Sequence, residues 1–342
     1  SEADLMFLRL KATLAGYLPG IMVCVVIALA ATFLSEHFGG PQLLYALLIG
    51  LAFHFLITHA QMKKGVDFCG RTVLRCGVAL LGARITFGQI QHLGAGTAVV
   101  VALGLAGTIG FGLLLARWLQ KTPAQGLLTG GAVAICGASA ALAISSVLPQ
   151  SRDNERFTLV VVVGVTVLST LAMVIYPFTV QLLGLSSQAA GIFLGGTIHD
   201  VAQVVAAGMM LGPQAGDTAT VVKLFRVMLL MPVVLLIVIA YRNHPDVQVS
   251  GQSVPLIPGF LVAFIVLVLL ATVGVIEPPV AKLAGEVSRG LLVTAIAAAG
   301  IKTSFEDLAK LGWQPVVMLV GETLFIAAFV LSGTLALRLG GS

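Results

Sequence analysis

The sequence predicts an all-α polytopic membrane protein, and three observations carry that reading. Of its 342 residues, 58% are hydrophobic and only 10% are charged, where a soluble domain of this size carries about a quarter charged. Apolar runs near 20 residues recur from one end to the other, the length a helix needs to cross about 30 Å of hydrocarbon. Stretches such as Phe260 to Ala271 are apolar on every side, whereas the strands of a membrane barrel would alternate polar and apolar residues. In lipid the backbone must satisfy its own polar groups, so continuous apolar runs imply helices.

Nine spans are predicted, at about 15–36, 41–60, 67–90, 95–117, 157–180, 218–241, 257–276, 280–302 and 313–337. Two further apolar segments, 125–148 and 189–211, are interrupted by glycine and bring the count of membrane segments to eleven. Together they form a single transmembrane domain over 1–342. Basic residues set the orientation. Arg9 and Lys11 precede the first span, Lys63, Lys64 and Arg71 follow the second, and the intervening loop has no Lys or Arg. The N-terminus is therefore expected in the cytoplasm, as is the polar loop 242–254. The net charge of +5 fits basic cytoplasmic loops and does not point to nucleic acid.

Internal similarity predicts inverted repeats. Residues 70–94 align without a gap on 288–312, pairing Arg71 with Arg289, Gly82 with Gly300, Arg84 with Lys302 and Phe87 with Phe305. A weaker match sets Gly130 and Gly131 on Gly195 and Gly196. By the span count the copies of the first match run in opposite directions, an arrangement that in transporters brings the substrate site to the repeat interface. Chance similarity among glycine-rich apolar helices is the rival explanation.

The chemistry concentrates in the two interrupted segments. Each carries a glycine pair (Gly130 and Gly131; Gly195 and Gly196) expected to break the helix, followed by polar groups. A broken helix leaves free N–H groups and a positive dipole end at the start of its second half, which can hold an anion. Gly137, Ala138 and Ser139 would supply amides and a hydroxyl in the first segment, and Thr197 a hydroxyl in the second. Close helix packing alone also accounts for such small residues.

In the second segment His199, Asp200 and Gln203 lie within five residues, at mid-membrane depth. An ionised carboxylate there costs at least ~2.5–3.5 kcal/mol, so it needs a partner, water or a proton. Lys223 and Arg226 share a face of the next span. They either pair with Asp200, or snorkel, or leave a net positive pocket that attracts an anion. Arg75, Arg84, Lys302 and Glu322 are placed near span ends. His54 reads as a packing residue, and Cys24, Cys69, Cys76 and Cys136 as small apolar fillers. No metal-ligand spacing and no nucleotide-binding loop is present in the sequence, so no metal, no cofactor and no ATP is expected.

The motifs AICGASAALA and GGTIHDVAQVVAAG, followed by VVKLFRVMLLMP, resemble the YeiH-type family of bacterial inner-membrane proteins, over about residues 15–338. That resemblance implies a multi-pass protein of the bacterial plasma membrane and a connection with sulfate export. It also implies a helix organisation similar to the bile-acid symporter and sodium/proton antiporter superfamily, with a panel and a core whose broken helices would be 125–148 and 189–211. Many relatives have Glu where this chain has Asp200.

The expected function is a secondary transporter of a small anion such as sulfate, a sulfonate or a carboxylate, not an enzyme. Gly137, Ala138, Ser139, Thr197, His199 and Gln203 would hold the anion, with Lys223 and Arg226 setting the field. Asp200 and His199 would couple protons, or another ion would take their place. Its surroundings are the lipid bilayer, and a homodimer is the common assembly of transporters of this build. A cation/proton antiporter using Asp200 is the alternative, and an intramembrane enzyme using His199 and Asp200, or Cys136, is a third.

Overall fold

Residues with bulky apolar side chains on all faces have no strand or amphipathic pattern to follow, and the chain resolves them as helices. The computed structural model describes residues 2–39, 42–145, 147–149, 152–241, 259–304 and 312–339. Among the described residues every regular element is helical. Packing divides the chain into two compact units, Ser1–Ile85 with Ala263–Thr303, and Thr86–Val262 with Ser304–Ser342.

The first unit contains α1 (Glu2–Phe38), α2 (Gln42–Ala52), α3 (Ala60–Phe68) and α4 (Leu74–Leu81), then α14 (Gly259–Thr272), which crosses the unit boundary, and α15 (Pro278–Lys302). Helix α1 meets α3 at Gly20 and Gly65, where an added Cβ would strike the other helix's backbone. Such an approach replaces the hydrophobic force that is missing between helices in lipid. His54 is a packing residue here: its Nδ1 lies 2.7 Å from the carbonyl of Ile301. Lys302, the counterpart of Arg84 in the sequence repeat, pairs with Asp67 at 2.7 Å, both side chains about a third exposed. A pair so exposed contributes less than ~1 kcal/mol. Lys302→Ala should accordingly leave the thermal melt of the detergent-purified protein nearly unchanged.

The second unit holds α5 (Phe87–His92), α6 (Gly94–Trp118), α7 (Pro123–Ala134), α8 (Ala138–Ser145), α9 (Arg152–Leu182), α10 (Ser187–Thr197), α11 (Val201–Met210), α12 (Pro213–Met228), α13 (Leu230–Tyr241) and α16 (Trp313–Ala336). Helix α7 opens with a reciprocal cap between Thr122 and Gln125 and has Pro at its start, which satisfies amides that the helix itself leaves open.

Among the described residues, six helices are long and apolar enough to cross a membrane: Gly16–Phe38, Gly94–Trp118, Arg156–Leu182, Pro213–Tyr241, Pro278–Lys302 and Trp313–Ala336. With the shorter apolar helices they make this a polytopic membrane protein. The other predicted spans take different forms. Segment 41–60 turns from α2 into a 3-10 stretch at His54–Thr58, and 67–90 is interrupted by a π turn at Cys69–Val73 and a 3-10 turn at Gly82–Arg84. Segment 257–276 is described from Gly259, as α14. The expected loop 242–254 and the part of the second repeat copy at 305–311 lie outside the described residues.

Candidate functional site at two helix breaks

Both glycine-interrupted segments are helices with a break, but the break is not at the glycine pair. Helix α7 runs through Gly130 and Gly131 and ends at Ala134, with α8 beginning at Ala138. Helix α10 runs through Gly195 and Gly196 to Thr197, and α11 begins at Val201. The helix-breaking role expected of Gly130, Gly131, Gly195 and Gly196 is therefore corrected: these glycines buy proximity. A Cβ on Gly130 would lie 2.9 Å from the Cα of Ile109 on α6, and one on Gly126 would lie 2.8 Å from the carbonyl of Gly112. A Cβ on Gly191 would lie 2.8 Å from the carbonyl of Ala215 on α12, and one on Gly195 would strike that of Ala219. Each broken helix is thus clamped to a neighbour through a glycine-x-x-x-glycine face. The second glycine of each pair admits another element: Gly131 faces Ile144 and Gly196 faces Val330.

The breaks occur at Ile135–Gly137 and Ile198–Asp200. Gly137 takes a φ of 67°, a conformation that glycine adopts without the steric cost other residues meet. Its position also brings the two breaks together, since a Cβ there would lie 3.5 Å from the Cβ of His199.

A half-helix that ends inside the protein leaves carbonyls without N–H partners and carries partial negative charge. Lys223 and Arg226, fully buried on α12, supply the missing donors. Lys223 Nζ donates to the C-cap carbonyls of both half-helices, Ile135 at 2.5 Å and Ile198 at 3.0 Å. Arg226 Nε donates to Ala134 at 2.9 Å, Nη2 to Val133 at 2.9 Å, and Nη1 to Gly195 and Ile198 at 3.0 Å each. Two cations thereby serve five carbonyls. Most of the donors of Lys223 and Arg226, expected to set the field around an anion, are committed to backbone.

His199 is equally enclosed. Its Nδ1 lies 3.2 Å from the Val133 carbonyl, which can only accept, so that nitrogen carries the hydrogen. Nε2 faces Thr323 Oγ1 on α16 at 3.0 Å, while the same hydroxyl reaches the Leu319 carbonyl at 2.7 Å. Asp200 caps α11: its Oδ1 accepts from the Ala202 amide at 2.9 Å, and its own amide donates to Ser169 Oγ on α9 at 2.9 Å. Thr197 is buried and donates back to the Phe193 carbonyl at 2.6 Å. Gln203 is buried in the first turn of α11, and its Oε1 has no hydrogen-bond partner among the described residues. Ser139 Oγ lies 3.2 Å from the Cys136 carbonyl and 2.9 Å from its sulfur.

Exposure sorts these residues. Gly137, Thr197, His199, Gln203, Lys223 and Arg226 are buried, whereas Ala138 and Asp200 are half-buried and Ser139 is exposed. The breaks therefore have an enclosed side of carbonyls and cations and an accessible edge formed by Ala138, Ser139 and Asp200.

Two features escaped the sequence reading. The glycine-x-x-x-glycine faces at Gly126/Gly130 and Gly191/Gly195 were legible as small-residue spacing, a signal masked by the adjacent glycine pairs. Glu322, placed near a span end, is fully buried, with its Oε1 2.7 Å from Thr129 Oγ1.

The family described as Conserved hypothetical protein 698 matches residues 19–319. A UPF0324 membrane protein of Chlorobaculum tepidum is 49% identical over 92% of this chain and 88% of its own length. One of Rhizobium meliloti is 48% identical over 95% and 94%, and the UPF0324 membrane protein TauZ of Paracoccus denitrificans is 48% identical over 92% and 94%. No solved structure matches the chain. The matched residues include both breaks and the two cations that tie them, and the chain belongs to this YeiH-type family of UPF0324 membrane proteins.

Proposed function

We propose that the protein is a secondary active transporter of a small anion, with the accessible edge of the two helix breaks as its substrate site. The observation that carries this reading is the bridging of both half-helix carboxyl ends by Lys223 and Arg226, while Asp200 and Ser139 stay accessible. Irregular backbone and a carboxylate are tolerated at membrane depth only against protein or a water-filled cavity. An exposed edge at such a break supports aqueous access.

The charge balance favours an anion. Each helix end carries about half a unit of charge, so the two ionised cations are offset by Asp200 and by the two carboxyl ends together. What remains is the partial positive charge of the two amino ends, about one unit. Asp200, whose charge is already counted, caps one of them, at α11. The amides of Ala138 and Ser139 open the other, beside the Ser139 hydroxyl. In this reading Lys223 and Arg226 hold the field without touching the substrate, and Gln203 turns its amide toward it. Asp200, with His199 behind it, exchanges the coupling proton. Sulfate, a small sulfonate or a small carboxylate is the substrate class, moved outward across the bacterial inner membrane by alternating access. Eleven membrane segments related as inverted repeats, with a cytoplasmic N-terminus, form part of the same reading, and no catalytic step is assigned.

Flux into proteoliposomes under an imposed pH gradient tests it. Uptake of labelled sulfate or a short alkyl sulfonate should follow the gradient. Asn caps a helix as well as Asp, so Asp200→Asn should fold normally and lose the dependence on the gradient. Ser139→Ala should weaken the apparent affinity about tenfold, the effect of one charge-assisted hydrogen bond. Sodium or potassium flux that ignores anions would overturn the reading.

A further inference from the structure

We infer that Glu322 is a proton-binding site, held as the neutral acid within the crossing that clamps the first broken helix. Glu322 lies ten residues into the 24-residue helix α16, far from either end. Its carboxyl enters the α6–α7 crossing, where a Cβ on Gly112 would lie 2.6 Å from Glu322 Oε1 and 2.7 Å from the Gly126 carbonyl. Glycine at position 112 leaves room for the group.

The hydrogen bonds distinguish the two protonation states. Oε1 lies 2.7 Å from Thr129 Oγ1, and Oε2 is buried with no hydrogen-bond partner among the described residues. Thr129 Oγ1 also lies 3.3 Å from the Gly126 carbonyl. The hydroxyl therefore has two oxygens in reach and one hydrogen to give. If Glu322 is ionised, Thr129 serves one of its oxygens, and the other is left as a bare, enclosed anion, an expensive state. If Oε1 carries a proton, that proton goes to Thr129 Oγ1 and the threonine's own hydrogen turns to Gly126. Every hydrogen then has an acceptor, and the orphan Oε2 is a neutral carbonyl oxygen, whose burial costs far less.

Among the described residues, the helices packed most closely on α16 bring no countercharge to the middle of its length. Among the elements packed on α16, α7 and α10 carry no ionisable side chains, and α6 has only Arg117, exposed in its last turn. Helix α9 has its charges at 152–156 and, further along, Tyr176. His199 is the nearest titratable group by connection, through Thr323, the residue after Glu322.

The protonation assignment stands on this geometry. Its use in transport rests on the proton-coupled reading above: release of the proton would put a charge into the crossing that fastens α7 to α6. Infrared spectroscopy of the protein in lipid nanodiscs tests the assignment without any substrate. At pH 7 the wild type should show a carboxylic-acid C=O band that shifts in heavy water, is lost in Glu322→Gln and persists in Asp200→Asn. Thr129→Val, which removes the acceptor, should move that band to higher frequency. Identical wild-type and Glu322→Gln spectra in that region, loss of a carboxylate band instead, or an unmoved band in Thr129→Val would each overturn it. None of these outcomes bears on whether anion flux follows a pH gradient, so the two readings fail separately.

Discussion

Arg226→Ala is expected to abolish the folded protein. The guanidinium makes four hydrogen bonds, to Val133, Ala134, Gly195 and Ile198, and alanine would leave carbonyls at two helix ends without donors in a site closed to water. Each buried carbonyl left without a donor costs about 1–3 kcal/mol, and several together are a large share of a typical folding free energy. Arg226→Lys should recover part of the loss, because an ammonium has the charge but cannot span four acceptors in a plane. Fluorescence-detected size exclusion of the detergent extract, with melting of the monodisperse peak, measures both variants. A monodisperse Arg226→Ala protein melting like the wild type would show that the guanidinium is not what holds the breaks together.

Gly195→Val is expected to be nearly as damaging, for the opposite reason. Overpacking a fitted interior usually costs about 1–3 kcal/mol, provided that neighbouring side chains can give way. At Gly195 the obstacle is the α12 backbone at Ala219, with the Val222 Cβ 2.8 Å away, so α10 and α12 must separate. That movement would pull the Gly195 and Ile198 carbonyls away from Arg226. The effects of Gly195→Val and Arg226→Lys should therefore be strongly non-additive, and a double-mutant cycle on melting temperature reads the coupling. Gly184→Ala is the contrasting case. Nothing lies within 4 Å of that added Cβ, and φ is 64°, so only the modest local cost of left-handed backbone should appear.

Much of this arrangement was visible in the chain because membrane burial leaves few explanations for polar residues. Lys223 and Arg226, three apart in an apolar helix, had to face something polar together, and they do. What periodicity did not contain was the identity of their partners. Backbone carbonyls carry no signature in sequence, so Asp200, the membrane interface and a bound anion were the complements in view, and the cations instead answer helix ends that exist only after the chain breaks. The breaks were misplaced by a few residues for a related reason. Gly130 and Gly195 look like weak points in a helix, but packing against α6 and α12 uses the missing side chain and keeps the helix intact. Glu322 was misjudged because one acid in an apolar run resembles an end marker. Only the tertiary approach of Gly112 and Thr129 makes room for it at depth.

The ammonium of Lys223 has one further implication for movement. Its two acceptors belong to different interrupted helices, and both are 3.0 Å away or closer. Neither interruption can slide along the other without surrendering that shared, buried grip. In the transport cycle proposed above, a change of access would carry both interruptions together with α12 and leave the movement to the packing around them.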